Sequence, residues 1–414
     1  MKVMTSTETR SPRTWQQRHS ILAVLSAAYL LCYMDRMSIA TAIPFMAKDF
    51  GLSPLGMGSV LSAFFVGYAA MQFPGGILSD RFGPRRVMVA AIGGWSLFTL
   101  LTGMARGLTA LLAIRVLFGL SEGSFPSAAS KTIALWFPQG EVGRANGFQL
   151  ASVQIGAAVA PLCVSWIILH WGWRAVFYSL LFPGLGLVVL VWIFIKGTPD
   201  ASGTRVQAGK PETVSVSEVL KMRTVRWCAI TIFFWSIAAW GLLNWVPTYL
   251  LQARGFTLSK MGLLGSLPYL AGALGYFLGG FFTDCYFSSR RQAPIVAGLL
   301  LGSATTYLAA VARSGEGAVV ALAFSFLFVF IAAGGIFSMP LVTVPRPAVG
   351  AAFGFINTAS QVAAFFSPLA VGYVLGITHG DFATVLYGFV GFFAVAAVAA
   401  LNIPAASAVR QATP

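Results

Sequence analysis

Apolar runs long enough to cross a bilayer, separated by short polar and basic loops, fill most of this 414-residue chain. Nothing else in the sequence restricts the fold as much. Hydrocarbon offers no water to backbone N–H and C=O groups, so only helices and closed barrels can span it. Apolar runs of about 17–25 residues are helices. Twelve such runs fall near 20–42, 57–79, 87–105, 109–133, 145–169, 173–195, 227–250, 259–283, 293–312, 318–341, 350–375 and 383–403. Charged residues make up only 9% and hydrophobic residues 57%, against about 25% charged in a soluble domain. The sequence predicts an all-α membrane protein with twelve transmembrane helices.

The formal charge of +15 does not point to nucleic acid, because the basic residues lie in short loops, without an aromatic-and-basic strip or zinc-finger spacing. Loops on the N-terminal side hold most of the 27 Lys and Arg, whereas the other side has Lys48, Arg106, Arg174, Arg254, Lys260 and Arg313. The positive-inside rule then places both termini in the cytoplasm. The first run is too long for a signal peptide and contains Asp35 and Arg36, so it is expected to be a retained helix. Cys32, Cys163, Cys228 and Cys285 show no paired spacing and read as small hydrophobes. His19, His170 and His379 read as polar edge residues, and Trp166, Trp171 and Trp173 as an interfacial belt.

A polar stretch at 197–226 separates two blocks of six helices, which gives a tail at 1–19, a bundle at 20–196, a linker, a bundle at 227–403 and a tail at 404–414. The blocks are related. Residues 138–162 align without gaps on 345–369 with ten of 25 positions identical, among them Gly147/Gly354, Gln154/Gln361 and Pro161/Pro368. Gly75-Gly76 with Asp80 is echoed by Gly279-Gly280 with Asp284. Six helices per block give both halves the same orientation, so a pseudo-twofold axis along the membrane normal is expected, with the binding site between the bundles.

Four charges lie inside otherwise apolar runs: Asp35 and Arg36 in the first, Arg115 and Glu122 in the fourth. Charge at that depth is costly unless paired or wet, and it marks a substrate or ion pathway. Arg115 and Glu122, seven residues apart, share a helix face about 10 Å apart along the axis. With the first helix ending near Ala42 and the fourth beginning near Thr109, Asp35 and Arg115 fall at similar depth and are expected to pair. The roles that follow are Arg36 as the carboxylate-binding fork, because guanidinium binds bidentately and stays charged, Glu122 as the main coupling proton site, and Asp35 as the second. The competing structural reading is a fixed ion-pair network that only locks two helices together, although buried ion pairs stabilise poorly.

No corresponding charge occurs in the second half, which is expected to supply neutral selectivity groups: Asn244, Tyr249, Tyr269, Ser338, Asn357 and Gln361. Tyr33, Tyr68 and Gln154 are the first-half candidates. For each, the alternative is an ordinary helix–helix hydrogen bond.

After the second helix comes Gly76-Ile-Leu-Ser-Asp80-Arg81-Phe-Gly83-Pro-Arg85-Arg86. It resembles the major facilitator superfamily loop signature G-x-L-x-D-R-x-G-x-R/K-R/K at every defined position. Gly76 is expected to permit close helix approach, Asp80 to meet a helix N-terminus and an arginine, and Arg85 and Arg86 to face anionic headgroups. Tyr33-Met-Asp35-Arg36, Arg115 through Glu122-Gly123-Ser-Phe-Pro126, Trp136-Phe-Pro138, Glu141-Val-Gly143-Arg144 and Trp245-Val-Pro247-Thr-Tyr249 are similar to the anion:cation symporter family within it. That family includes bacterial sugar-acid and phthalate carriers and animal sialic acid and vesicular glutamate transporters. The resemblance implies two pseudo-symmetric six-helix bundles, residence in a bacterial inner membrane and a functional monomer. It also implies transport of an organic anion driven by a proton gradient.

The leading expectation is therefore proton-coupled symport that imports a small organic carboxylate, a sugar acid, by alternating access, with no cofactor. The alternatives are an exporter of drugs or metabolites, an importer of an aromatic carboxylate, and a membrane sensor without transport. The paired arginines and a fifth helix with only Gly156 and Pro161 of the exporter glycine pattern speak against the exporter. An enzyme is not expected, since no nucleophile–base set or metal-ligand cluster is present.

Overall fold

The computed structural model describes residues 17–195, 216–287, 290–345 and 348–404. Most of the expected linker, the tail residues 1–16 and 405–414, and Arg346 lie outside the described residues. The first half contains α1 (Gln17–Phe50), α2 (Pro54–Phe82), α3 (Pro84–Met104), α4 (Leu108–Gly123), α5 (Phe125–Trp136), α6 (Gln139–Trp171) and α7 (Trp173–Phe194). A short α8 (Val216–Lys221) precedes α9 (Arg223–Thr248), which continues as a π-turn over Tyr249–Ala253. Then follow α10 (Leu258–Cys285), α11 (Gln292–Val311), α12 (Gly315–Thr343), α13 (Val349–Ile377) and α14 (Phe382–Leu401). Counting α4 and α5 as one span, twelve helices among the described residues are long and apolar enough to cross a membrane. An even count puts the start of α1 and the end of α14 on one side, the terminal face; the other is the loop face.

Two boundaries differ from the sequence expectation in ways that matter. The first helix does not stop near Ala42 but runs to Phe50. Its polar end is held by α7: Trp173 Nε1 donates to Asp49 Oδ2 at 2.8 Å, and Arg174 pairs with the same oxygen at 2.9 Å. Trp173 is thereby buried and does not belong to an interfacial belt, whereas Trp166 and Trp171 are exposed. The fourth span breaks at Ser124, between α4 and α5. Pro126 has no N–H to give to the Glu122 carbonyl, so the ladder is interrupted beside the charged residue. The break also admits α2, where a Cβ on Gly75 would lie 2.6 Å from Ser124 Cα.

The halves repeat one packing plan. α2 packs on α4, α1 on α6 and α3 on α7, just as α10 packs on α12, α9 on α13 and α11 on α14. Ser53 caps α2 and Thr257 caps α10 at equivalent positions. The bundles meet along two seams, α2 against α13 and α6 against α10. Lipid tails are as apolar as leucine, so such seams depend on close backbone approach at small residues. Toward the loop face, a Cβ on Gly58 would sit 2.3 Å from the Pro368 carbonyl oxygen. At the equivalent place in the other seam, a Cβ on Gly262 would sit 2.7 Å from Ser165 Cβ and 3.1 Å from the Pro161 carbonyl oxygen. The repeat-related prolines Pro161 and Pro368 thus receive repeat-related glycines. Toward the terminal face, Gly76, Gly147, Gly280 and Gly354 on the same four helices have no atom within 4 Å of a Cβ position. The seams are tight on the loop face and loosen toward the terminal face.

Replacing Gly58 by Leu should wedge the α2–α13 seam apart, since over-packing at a backbone contact costs about 1–3 kcal/mol. The expected outcome is that a cysteine introduced at Met37 becomes open to an impermeant thiol reagent from the loop face, in protein that still elutes as a single species. Unchanged labelling would show that this contact does not close the seam.

Candidate functional site

The longer α1 resets the register of the charged residues. Arg36 lies fourteen residues from the loop-face end of α1, and Glu122 fourteen from the loop-face start of α4, which puts both about 21 Å deep at 1.5 Å per residue. They form an ion pair, with Arg36 Nη2 donating to Glu122 Oε1, and each is almost fully buried. Arg36 Nη1 also approaches the Tyr33 hydroxyl at 3.4 Å. Four rings enclose the guanidinium, whose carbon is 4.4 Å from the centroid of Phe64, 4.7 Å from Tyr33, 4.9 Å from Tyr68 and 5.7 Å from Trp240. A guanidinium is weakly hydrated and tolerates such a cage, and each cation–π contact contributes about 0.5–2 kcal/mol. Trp240 reaches the cage from the second half.

The expected Asp35–Arg115 pair is not formed. Arg115 starts only seven residues into α4, about 10 Å deep, well above Asp35. Its guanidinium packs over Phe64 at 5.2 Å and Phe118 at 5.0 Å. Asp35 Oδ1 and Arg115 Nε are buried without a hydrogen-bond partner. The network that joins α1 to α4 therefore runs through Arg36 and Glu122.

Beside this pair, the two halves enclose a cavity of about 210 Å³. Of the residues expected at a binding site, Tyr33, Arg36, Tyr68, Gln154, Asn357 and Gln361 line it. Gln154 and Gln361, related by the sequence repeat, enter it from α6 and α13, and Gln361 Oε1 has no partner. Asn357 Nδ2 donates to Gln72 Oε1 at 2.9 Å, a hydrogen bond between the halves. The structure places other candidates outside. Asn244 donates to the Trp240 carbonyl at 2.8 Å, Tyr269 to the Leu243 carbonyl at 2.8 Å and Ser338 to the Gly335 carbonyl at 2.8 Å. Tyr249 donates to the Ala309 carbonyl and accepts from Arg254 Nε at 2.6 Å, which ties the π-turn to the end of α11. Arg115 does not line the cavity either.

Sequence reasoning missed Trp235, Trp240, Tyr276, Phe330, Phe337 and Ser360, which form the second-half wall. The serine hydroxyl is engaged by Ser236 at 2.7 Å, and Trp235 Nε1 donates to the Val329 carbonyl at 2.8 Å. Nothing in the sequence sets these residues apart from the other aromatic and small polar residues of the apolar runs.

The loop-signature residues hold the terminal face of the first half. Asp80 pairs with Lys131 of α5 at 2.7 Å, not with an arginine, and Lys131 also donates to the Ser79 carbonyl at 3.0 Å. Arg85 donates to the Trp192 carbonyl and stacks on the Trp192 ring at 3.9 Å. Arg81 lies over Phe82 at 5.2 Å, and Arg86 borders a surface groove with Leu78 and Phe82. Gly83 makes the turn with φ of 82°, a conformation open to glycine at no steric cost. Close approach falls to Gly75, because a Cβ on Gly76 would meet nothing within 4 Å.

Comparison with known proteins gives three results. A family profile described as Major Facilitator Superfamily matches residues 25–368. The chain is 31% identical over 379 residues to a probable sulfoacetate transporter of Cupriavidus necator, covering 86% of this chain and 87% of that one. It is 28% identical over 393 residues to a hexuronate transporter of Bacillus subtilis, covering 91% and 93%. Among solved structures, a bacterial homolog to the human lysosomal transporter Spinster superposes with a TM-score of 0.77 at 18% identity, over 96% of this chain and 98% of that one.

Removing one member of a buried ion pair leaves an uncompensated charge and costs about 3–5 kcal/mol, whereas replacing both by apolar groups is often neutral. Arg36→Met and Glu122→Leu should each lower the thermal midpoint of the detergent-solubilised protein by several degrees. The double variant should recover most of that loss. Additive losses in the double variant would mean that the two side chains are not coupled.

Proposed function

We infer, for a chain that belongs to the Major Facilitator Superfamily, proton-coupled import of a small organic anion by alternating access. The chain is a multi-pass membrane transporter and not an enzyme. The observation that carries the reading is the Arg36–Glu122 ion pair, whose arginine lines a cavity between the halves. A carboxylate already occupies the guanidinium that an anionic substrate needs. Protonation of Glu122 removes its charge and leaves Arg36 unneutralised in a poorly solvated site. An incoming carboxylate then satisfies the guanidinium through its bidentate fork. Loss of the proton restores the internal pair and displaces the substrate. The proton and the anion are thus bound together or released together, which is symport. The proton gradient is the energy source, and the reading requires no cofactor.

Substrate class follows from the same site. Arg36 takes the acid group, while Gln154, Gln361, Asn357 and Tyr68 offer hydrogen bonds of the kind that suit hydroxyls. Relatives named for hexuronate and sulfoacetate transport support an organic acid, and we place this chain with the sugar-acid carriers. Asp35, buried with an unpartnered oxygen beside the pair's helix, is the second proton site of the reading. Positive-inside counting favours a cytoplasmic terminal face, and the bacterial carriers that the chain resembles favour residence in an inner membrane. The loop-face seams are then closed on the outside, and release is toward the cytoplasm. Each monomer contains a whole site.

The test is uptake into proteoliposomes of D-galactonate and D-glucuronate, with and without an inward proton gradient. Wild-type protein should accumulate one of these acids only with the gradient. Glu122→Gln should lose that stimulation while it still exchanges labelled for unlabelled acid at equal pH. Uptake by Glu122→Gln that remains fully proton-driven would remove Glu122 from the scheme.

A further inference from the structure

We propose that the site accepts acids with a single negative charge and excludes diacids. The proposal deepens the carrier reading above and rests on it. It comes from the balance of charge around the cavity. Among the described residues that line it, Arg36 is the one cation, and Glu122 neutralises it at rest. Arg115, about 10 Å deep on α4, packs over Phe64 and Phe118, is almost fully buried and does not line the cavity. The opposite wall is neutral. Trp235, Trp240, Phe330 and Phe337 present carbon surface, and the polar groups there are Tyr276, Asn357, Ser360 and Gln361.

Two of those polar groups are already engaged. Asn357 donates to Gln72, and Ser360 is bonded to Ser236. Gln361 brings a neutral amide whose Oε1 is buried without a partner, and it carries no charge with which to neutralise a carboxylate. One proton on Glu122 frees one guanidinium, and one guanidinium neutralises one carboxylate. A second carboxylate at the far end of the substrate would lie against rings and amides with no cation in reach. An unpaired charge in such a place is strongly disfavoured. Hydroxyls at the same position would find Gln361, Tyr276 and Gln154 as partners, so a sugar monoacid fits where the matching diacid does not. The named relatives span both classes: a hexuronate carries one acid group, and sulfoacetate carries a carboxylate and a sulfonate.

The experiment uses matched pairs that differ in one oxidised carbon: D-galactonate against galactarate, and D-glucuronate against D-glucarate. Purified full-length protein in liposomes is assayed at pH 7, where both groups of a diacid are ionised. The expected result is proton-stimulated uptake of a monoacid, with its diacid partner taken up, or competing, about 100-fold more weakly. Gln361→Arg, which adds a cation to the neutral wall, should narrow that gap at least tenfold in favour of the diacid. Comparable uptake of both members of a pair by the wild-type protein would overturn the proposal and leave the carrier reading standing. So would a Gln361→Arg variant that transports the monoacid with the discrimination unchanged. Absence of uptake of every acid of either class would overturn the carrier reading, and the proposal with it.

Discussion

One buried ion pair organises the centre of this molecule. Arg36 and Glu122 face each other in the middle of a membrane-spanning bundle, where either alone would be costly. Their partnership explains features that would otherwise be unrelated. α1 runs on to Phe50 and is held by Trp173 and Arg174, which sets Arg36 level with Glu122. α4 breaks just after Glu122, so the carboxylate lies at an interruption in the helix. The rings of Tyr33, Phe64, Tyr68 and Trp240 confine the guanidinium on its other faces. A buried ion pair adds little net stability. In the proposed mechanism its worth lies in being replaceable, because a proton on one side and an anion on the other would take over its two halves.

The internal repeat provides the mechanical frame, and departures from the repeat provide the chemistry. Pro161 and Pro368 each receive a glycine from the opposite bundle, Gly262 and Gly58 respectively, and Gln154 and Gln361 enter the cavity as a related pair. The charges break the symmetry. They belong to the first half alone, and the second half answers with aromatic rings and amides.

Much of the architecture was legible in the sequence. Hydropathy alone marks the twelve spans, because backbone polar groups in hydrocarbon leave no other solution. The repeat located Gln154 and Gln361, and the intramembrane charges identified Arg36 and Glu122 as central. The pairing was misread for a specific reason. Lys48 and Asp49 look like a loop, so the first helix was expected to end near Ala42, and an eight-residue difference exchanges one set of partners for another. Gly76 was expected at a close contact that Gly75 makes, since two adjacent glycines give no sign of which faces the neighbouring helix. Trp235, Trp240, Phe330 and Phe337 stayed hidden because an aromatic residue in an apolar run looks the same whether it faces lipid, core or cavity. Asn244, Tyr249 and Tyr269 look polar enough to bind a substrate, but their hydrogen bonds close on nearby backbone carbonyls.

The hydrogen bond from Asn357 to Gln72 bears on how the two bundles move. The ion pairs Arg18–Glu141, Arg36–Glu122, Asp80–Lys131, Asp49–Arg174 and Lys260–Glu316 each lie within one half, whereas this amide–amide hydrogen bond crosses between them. When the halves part there, each amide can exchange its partner for water, and no charge has to be stripped or exposed. The loop-face seams, made of glycine against backbone, can likewise open without separating ions. At this hydrogen bond and at the glycine contacts the halves meet through neutral groups, so in the proposed alternating access the cost of parting them there is set by shape.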